Sequence, residues 1–361
     1  MALFLMVIQA LTGILLSLHY EPSARPAVNA HGESLLWQEN KLVETSSASH
    51  SQRPSPAFLS VMHTLTIVPF GRIIRGVHHW SAHVLIATAL LWFSLALVAK
   101  SYRRILPTLW WCGLGGMMLL LAAGWTGHVL PWNVRSFVAA EIVFASLPQA
   151  FPIVGTAVVA VLRGAPTIAP ETLPRLYAIH ILVLPVFALS SLVLMRVWRT
   201  LTPHIAAMVR RHPHEYALAG IAVVFLLTAA SVLLSIAPTA AERLPADLAS
   251  TTPAPSGIKP EWYFLAPYAL SALLSASLAA STAFAVPLPS WCLGLAALLV
   301  VAHLAALPFV DGAANSTTNN TTNSTTTSRA QSRLRERFYT AANLGIIIGY
   351  LALTLIGGVL L

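Results

Sequence analysis

Two histidines stand inside apolar runs where an ionisable side chain is costly. His78 opens the run 77–99, within RIIRGVHHWSAH, and His180 lies near the start of the run 175–199, within TLPRLYAIHILVLP. Such a residue in a membrane span is functional by default. Both runs start on the same side of the membrane, so the two imidazoles lie at similar depth. Imidazoles on facing helices of a bundle can clamp a flat metal-bearing macrocycle between them. Arg75 and Arg175 are near them in sequence and suit the carboxylates such a group carries. Taken singly, each histidine equally fits a satisfied polar residue at a helix end near water. A third chemical residue is Glu261, in Pro260-Glu261-Trp262-Tyr263. Taken singly, it also fits a carboxylate at a helix N-terminus, where the dipole favours it.

The elements that must position these groups are spans. Of 361 residues, 57% are hydrophobic and 9% charged, with mean hydropathy +0.73. Soluble domains carry about 25% charged residues, so a membrane protein is expected. A spanning helix needs about 20 apolar residues. The stretches 2–19, 77–99, 107–130, 175–199, 214–237, 286–308 and 338–361 qualify. Each is predicted helical, because an open strand leaves its backbone unpaired in lipid. The first has no basic n-region and no clear small-residue cleavage site, and ends in SLHYEP, so it reads as a span rather than a signal peptide. Cys112 and Cys292 lie in different spans, so a disulfide framework is not implied, and with no C-x-x-C-H no covalent c-type haem is expected. Cys112 reads as a packing residue.

The net charge of +9 does not point to nucleic acid, because the basic residues lie in loops between spans. The loops 100–104, 196–215 and 311–337 hold eleven Lys/Arg against three acids, and the opposite loops ten against nine. The positive-inside rule puts the first set, and the N-terminus, in the cytoplasm, the inner membrane of a bacterial-type cell being the expected site. The segment 311–335, with NSTTNNTTNSTTTS at 315–328, is predicted to be a polar flexible linker. The external connections are 20–76, 131–174 and 238–285. Within the second, 137–162 is interrupted by Pro148 and Pro152 and is expected to form short interfacial helices.

With these residues in view, the chain resembles cytochrome b, the quinol-oxidising subunit of cytochrome bc complexes, over nearly its whole length. The pieces occur in family order: IQALTGILLSLHYEP (8–22), RIIRGVHHWSA (72–82), GHVLPW (127–132), TLPRLYAIHILVLP (172–185), TPAPSGIKPEWYFL (252–265) and LPFVDG (307–312). The resemblance implies an all-α polytopic fold: a four-helix haem bundle at 1–200, then a three-helix module with the quinol-site segment at 201–361. It implies that His78 and His180 ligate a haem b, with Arg75 and Arg175 toward its propionates. It implies that Gly13 and Gly127 let helix backbones approach the haem face, although small residues also serve close helix packing. It implies that Glu261, with Tyr263 beside it, takes the proton that quinol must shed as it is oxidised. The implied partners are quinol, a Rieske-type iron–sulfur protein, a cytochrome c-like acceptor and a second copy of the chain.

The chain also departs from the family. A second haem is normally ligated about four turns further along the same helices. Here Trp92 lies fourteen residues after His78, and Leu194 and Met195 fourteen and fifteen after His180. Leu95 replaces a propionate arginine, Gly113 is retained, and Glu215 is only a shifted stand-in for the aspartate of the quinone-reduction site. One haem b is therefore expected, with the second site lost. The alternative of a displaced haem on His204, His212 or His214 competes with plain loop histidines near headgroups. Such a subunit would oxidise quinol externally without a full quinone cycle. Two other readings are a degenerate cytochrome b serving as a non-catalytic scaffold, and a dihaem anchor of the hydrogenase type, against which P-E-W-Y argues.

Overall fold

Lipid offers the backbone no hydrogen-bond partners, so each apolar run has to close its own bonds as a helix. The computed structural model describes residues 2–29, 34–38, 41–45, 54–103, 105–151, 153–183, 186, 190, 213–233, 261–266, 269, 291–311 and 326–360. Among them are α1 (Ala2–Ser17), α2 (Pro56–Thr66), α3 (Gly71–Val98), α4 (Pro107–Val129), α5 (Val134–Ala150), α6 (Val154–Arg163), α7 (Thr172–Val183), α8 (Pro213–Leu233), α9 (Trp291–Val310) and α10 (Thr326–Leu360). Helix covers the described part of all seven expected spans except for turn residues at the ends of the first three, Leu18, His19, Ala99 and Leu130. Three stretches, Gly71–Val98, Pro107–Val129 and Leu334–Val359, are long and apolar enough to cross a membrane unaided. The chain is a multi-pass membrane protein of all-helical class. Leu91 of α3, Leu226 of α8, Leu299 of α9 and Leu355 of α10 are exposed, as side chains facing lipid must be.

The sequence reading missed one feature of the first external connection. Strands β1 (Ser34–Gln38) and β2 (Lys41–Thr45) pair antiparallel, with Ser34 opposite Thr45 and Gln38 opposite Lys41. Helix α2 follows, with Pro56 in its first turn and the Ser55 hydroxyl accepting from the Phe58 N–H, which satisfies an orphan donor. The expected short helices after span three are α5 and α6. Pro148 does not break α5, which runs on to Ala150. The proline withholds an N–H from the Phe144 carbonyl, and the helix ends two residues later. Helix α6 ends on Gly164 at φ 74, a left-handed cap that glycine adopts without a Cβ penalty.

Two compact units emerge, Met1–Ile86 with Leu119–Leu189 and His204–Ile258, and Ala87–Met118 with Ser190–Pro203 and Lys259–Leu361. In the first unit, Leu5, Phe58, Trp132, Leu173 and Leu176 are buried. Tyr20, just past α1, donates its hydroxyl to the Leu130 carbonyl at 2.7 Å, so GHVLPW is tied to the end of the first span. Burial pushes the Tyr20 hydroxyl pKa up from its ordinary value.

The second unit packs Phe93 flat on Trp110, 5.2 Å between ring centroids, with Leu97, Leu304 and Leu307 around them. At one edge lies a buried charge. Asp311, 2% exposed, accepts from Tyr102 Oη at 2.7 Å, Arg103 Nε at 2.9 Å and Arg103 Nη2 at 2.7 Å. Asn343 of α10 donates to the Tyr102 hydroxyl at 3.3 Å and meets His303 of α9 at 3.2 Å. A carboxylate just past the end of α9 opposes the helix dipole, so the Arg103 guanidinium has to offset it. Burial alone would raise the Asp311 carboxyl pKa, but the Arg103 and Tyr102 hydrogen bonds outweigh it and hold the group below its ordinary value.

Candidate functional site

His78 lies on α3 two turns from its start, and α1 crosses beside it. Three α1 residues meet it. The Thr12 hydroxyl lies 2.9 Å from Nδ1. The Gln9 amide donates to the His78 carbonyl and, at 2.7 Å, to the Ser81 hydroxyl. Gly13 has its backbone against the ring, where an added Cβ would stand 3.3 Å from Cε1.

The arrangement repeats on the next pair of helices. His180 lies on α7, and the Thr126 hydroxyl of α4 is 3.0 Å from its Nδ1. A Cβ on Gly127 would stand 2.9 Å from Cε1 of His180 and 3.5 Å from both ring nitrogens, so only glycine fits there without displacing the ring. The two imidazoles are within electrostatic range of each other, and Arg75 within range of His78. In each ring a threonine takes Nδ1, which leaves Nε2 as the nitrogen for a metal. Arg175 donates through Nη1 to the Val161 carbonyl at 3.0 Å, near the end of α6. That bond engages one of its five N–H donors. Thr12, Thr126, Gln9 and Ser81 were missed by the sequence reading. The available signal was a threonine immediately before each of the two glycines singled out.

Glu261 and Tyr263 belong to the second unit. Glu261 precedes a 3₁₀ turn, Trp262–Phe264, and makes no side-chain cap bond to it. Tyr263 is 5% exposed, and its carbonyl accepts from the Tyr350 hydroxyl of α10 at 2.7 Å. A Cβ on Gly357 would stand 2.7 Å from the Leu265 carbonyl oxygen, so α10 lies close against this segment. Trp92 is 40% exposed and Leu95 58% exposed on α3. Leu194, Met195, His204, His212, Pro260 and 312–325 lie outside the described residues, as do the side chains of His214 and Glu215.

The family model of Cytochrome b/b6/petB matches residues 47–200. A cytochrome bc complex cytochrome b subunit of Chlorobaculum thiosulfatiphilum is 30% identical over 281 residues, covering 75% of this chain and 58% of that protein. Cytochrome b6 of Tupiella akineta is 34% identical over 144 residues, covering 39% of this chain and 66% of that protein. The chain belongs to the cytochrome b family. It spans roughly three fifths to two thirds of the length of these relatives. A solved structure described as a hyperthermophilic respiratory Complex III superposes with TM-score 0.66 at 20% identity, covering 99% of this chain and 82% of the other. That likeness shows the fold.

The family implies haem b, and the residues present fit it. A bis-histidine haem needs two imidazoles presenting Nε2, and room for a flat ring where helices would otherwise close. The threonine-bonded rings supply the first. The backbones of Gly13 and Gly127, stripped of side chains beside those rings, favour the second.

Proposed function

We propose that this cytochrome b is a membrane electron-transfer subunit that oxidises quinol on the external side, next to one haem b held by His78 and His180. The observation that carries it is the matched pair of imidazoles, each bonded at Nδ1 by a threonine and flanked by a glycine. One-electron transfer is the chemistry a bound haem supplies. The protein's own work is to hold the two ligands at one depth and to take up protons. Quinol releases electrons readily only as its protons leave, so a base within hydrogen-bond reach is needed. Glu261 is that base, with Tyr263 shaping the segment, and Arg75 and Arg175 would pair with the haem propionates. The reading extends to the family modules at 1–200 and 201–361, a cytoplasmic N-terminus in a bacterial-type inner membrane, a Rieske-type iron–sulfur partner, a cytochrome c-like acceptor and a homodimer. With Trp92 in place of the second ligand, the electron path toward the cytoplasm is absent.

The test is the haem content of the purified chain with its reduced-minus-oxidised spectrum. One haem b per chain, lost in His180→Ala, is expected, together with slowed quinol oxidation in Glu261→Gln at unchanged haem content. Two haems would overturn the single-haem reading. No haem would favour the second reading, a cytochrome b kept as a non-catalytic scaffold of a respiratory complex.

A further inference from the structure

Thr12 and Thr126 each sit immediately before a glycine that faces a ligand ring. Their hydroxyls have a second contact that decides their role. Thr12 Oγ1 donates to the Ile8 carbonyl at 2.6 Å, and Thr126 Oγ1 donates to the Ala122 carbonyl at 2.9 Å. A hydroxyl carries one proton and two lone pairs. With its proton turned back along its own helix, each oxygen meets the imidazole as an acceptor. The next nearest partners of the two hydroxyls, the Gln9 carbonyl at 3.3 Å and the Ala123 carbonyl at 3.2 Å, can likewise only accept. Each hydroxyl therefore asks the Nδ1 that it meets to carry the proton.

We infer that Thr12 and Thr126 are paired positioning residues, which lock His78 and His180 in the Nδ1–H tautomer, with Gly13 and Gly127 against the rings, and so keep each Nε2 lone pair for a metal. The inference deepens the haem reading and rests on it for its redox consequence, but the tautomer belongs to the protein alone. An outer-shell acceptor on a ligating histidine fixes the ring and raises its basicity, and losing it typically costs about 10–100-fold in metal affinity or activity. A more basic ligand favours the oxidised metal. Losing the acceptor should therefore raise the midpoint potential as well as loosen the haem. The Thr-Gly pair on α1 and its repeat on α4 are thus one device used twice: the glycine makes room and the threonine sets the angle.

The experiment uses the full chain in detergent, as Thr12→Val, Thr126→Val, Thr12→Ser and Thr126→Ser. Valine keeps the shape without the oxygen, and serine keeps the oxygen. On haem-free protein labelled with ¹⁵N-histidine, both rings should show the Nδ1–H tautomer, and each valine variant should release only its own histidine from it. On haem-loaded protein, each valine variant should lose haem about tenfold faster or more, with a more positive midpoint potential, while each serine variant stays near native. An Nε2–H tautomer in the native haem-free chain overturns the inference. So do valine variants whose haem release and potential equal native. Native chain that shows the Nδ1–H tautomer but binds no haem leaves this inference standing and removes the haem reading.

Discussion

Replacing Asp311 with Asn tests how strongly the second unit depends on one buried charge. The substitution keeps the shape and removes the negative charge that Arg103 and Tyr102 address. Asp311 is 2% exposed and the Arg103 side chain 17% exposed, so little water can take the carboxylate's place. Breaking a buried pair by removing one partner costs about 3–5 kcal/mol. Arg103 also reaches toward Glu336, 3.8 Å away, and its partial exposure softens the loss, so the lower end, about 3 kcal/mol, is expected. The assay is equilibrium unfolding in mixed micelles, with Lys100→Met as control. Lys100 pairs with Glu336 at 3.2 Å, but Glu336 is 58% exposed, and exposed pairs are worth about 0–1 kcal/mol. The pH dependence follows from the direction of the shift. A carboxyl held below its ordinary value in the folded chain adds stability above the unfolded value of 3.8. That stability drains as pH falls through the lower folded value. Native protein should therefore weaken below about pH 4 more than the Asn variant does. An Asp311→Asn chain within about 0.5 kcal/mol of native, a margin typical of plain surface changes, would refute the view that this charge is structural.

Three further outcomes are expected. Gly127→Ala places a methyl 2.9 Å from the His180 ring, and Gly13→Ala places one at 3.3 Å from His78. Haem content should fall more in the first, as read from the pyridine haemochrome. Gly164→Ala combines φ 74 with a Cβ 2.3 Å from Arg175 Nε. It should cost more than the roughly 1–2 kcal/mol of left-handed backbone alone, measured by the same unfolding assay. Tyr350→Phe leaves the Tyr263 carbonyl without its hydroxyl donor, a loss of about 1–3 kcal/mol for a buried group. It should alter KM for quinol while leaving the haem spectrum unchanged.

The spans were legible because hydrophobic length alone dictates helix in lipid. Their starts were less so. Helix α3 begins at Gly71, six residues before the apolar count began, because Arg72, Arg75 and Gly76 dilute hydropathy without preventing helix. The histidines and glycines stood out as costly or bare residues in apolar runs. Thr12 and Thr126 did not, since a threonine bonded back to its own helix is unremarkable until the ring facing it is known. The Asp311 cluster was illegible for another reason. It joins Tyr102 and Arg103 to an acid more than 200 residues away, and no local pattern reports such a pairing. The β1–β2 hairpin was passed over because its strands, SLLWQ and KLVET, lie in a segment assigned as loop by its place between spans.

Helix α3 has 28 residues, a length of about 42 Å at 1.5 Å per residue, against a hydrocarbon layer of about 30 Å. Its surplus falls partly at the arginine-bearing start. His78 comes about 10 Å along this rod, and His180 about 12 Å along α7. Each histidine thus stands little more than two turns from the start of its helix, so a group ligated by both would lie toward that end. A carrier docking at that end of the helices would have the shorter path to such a group.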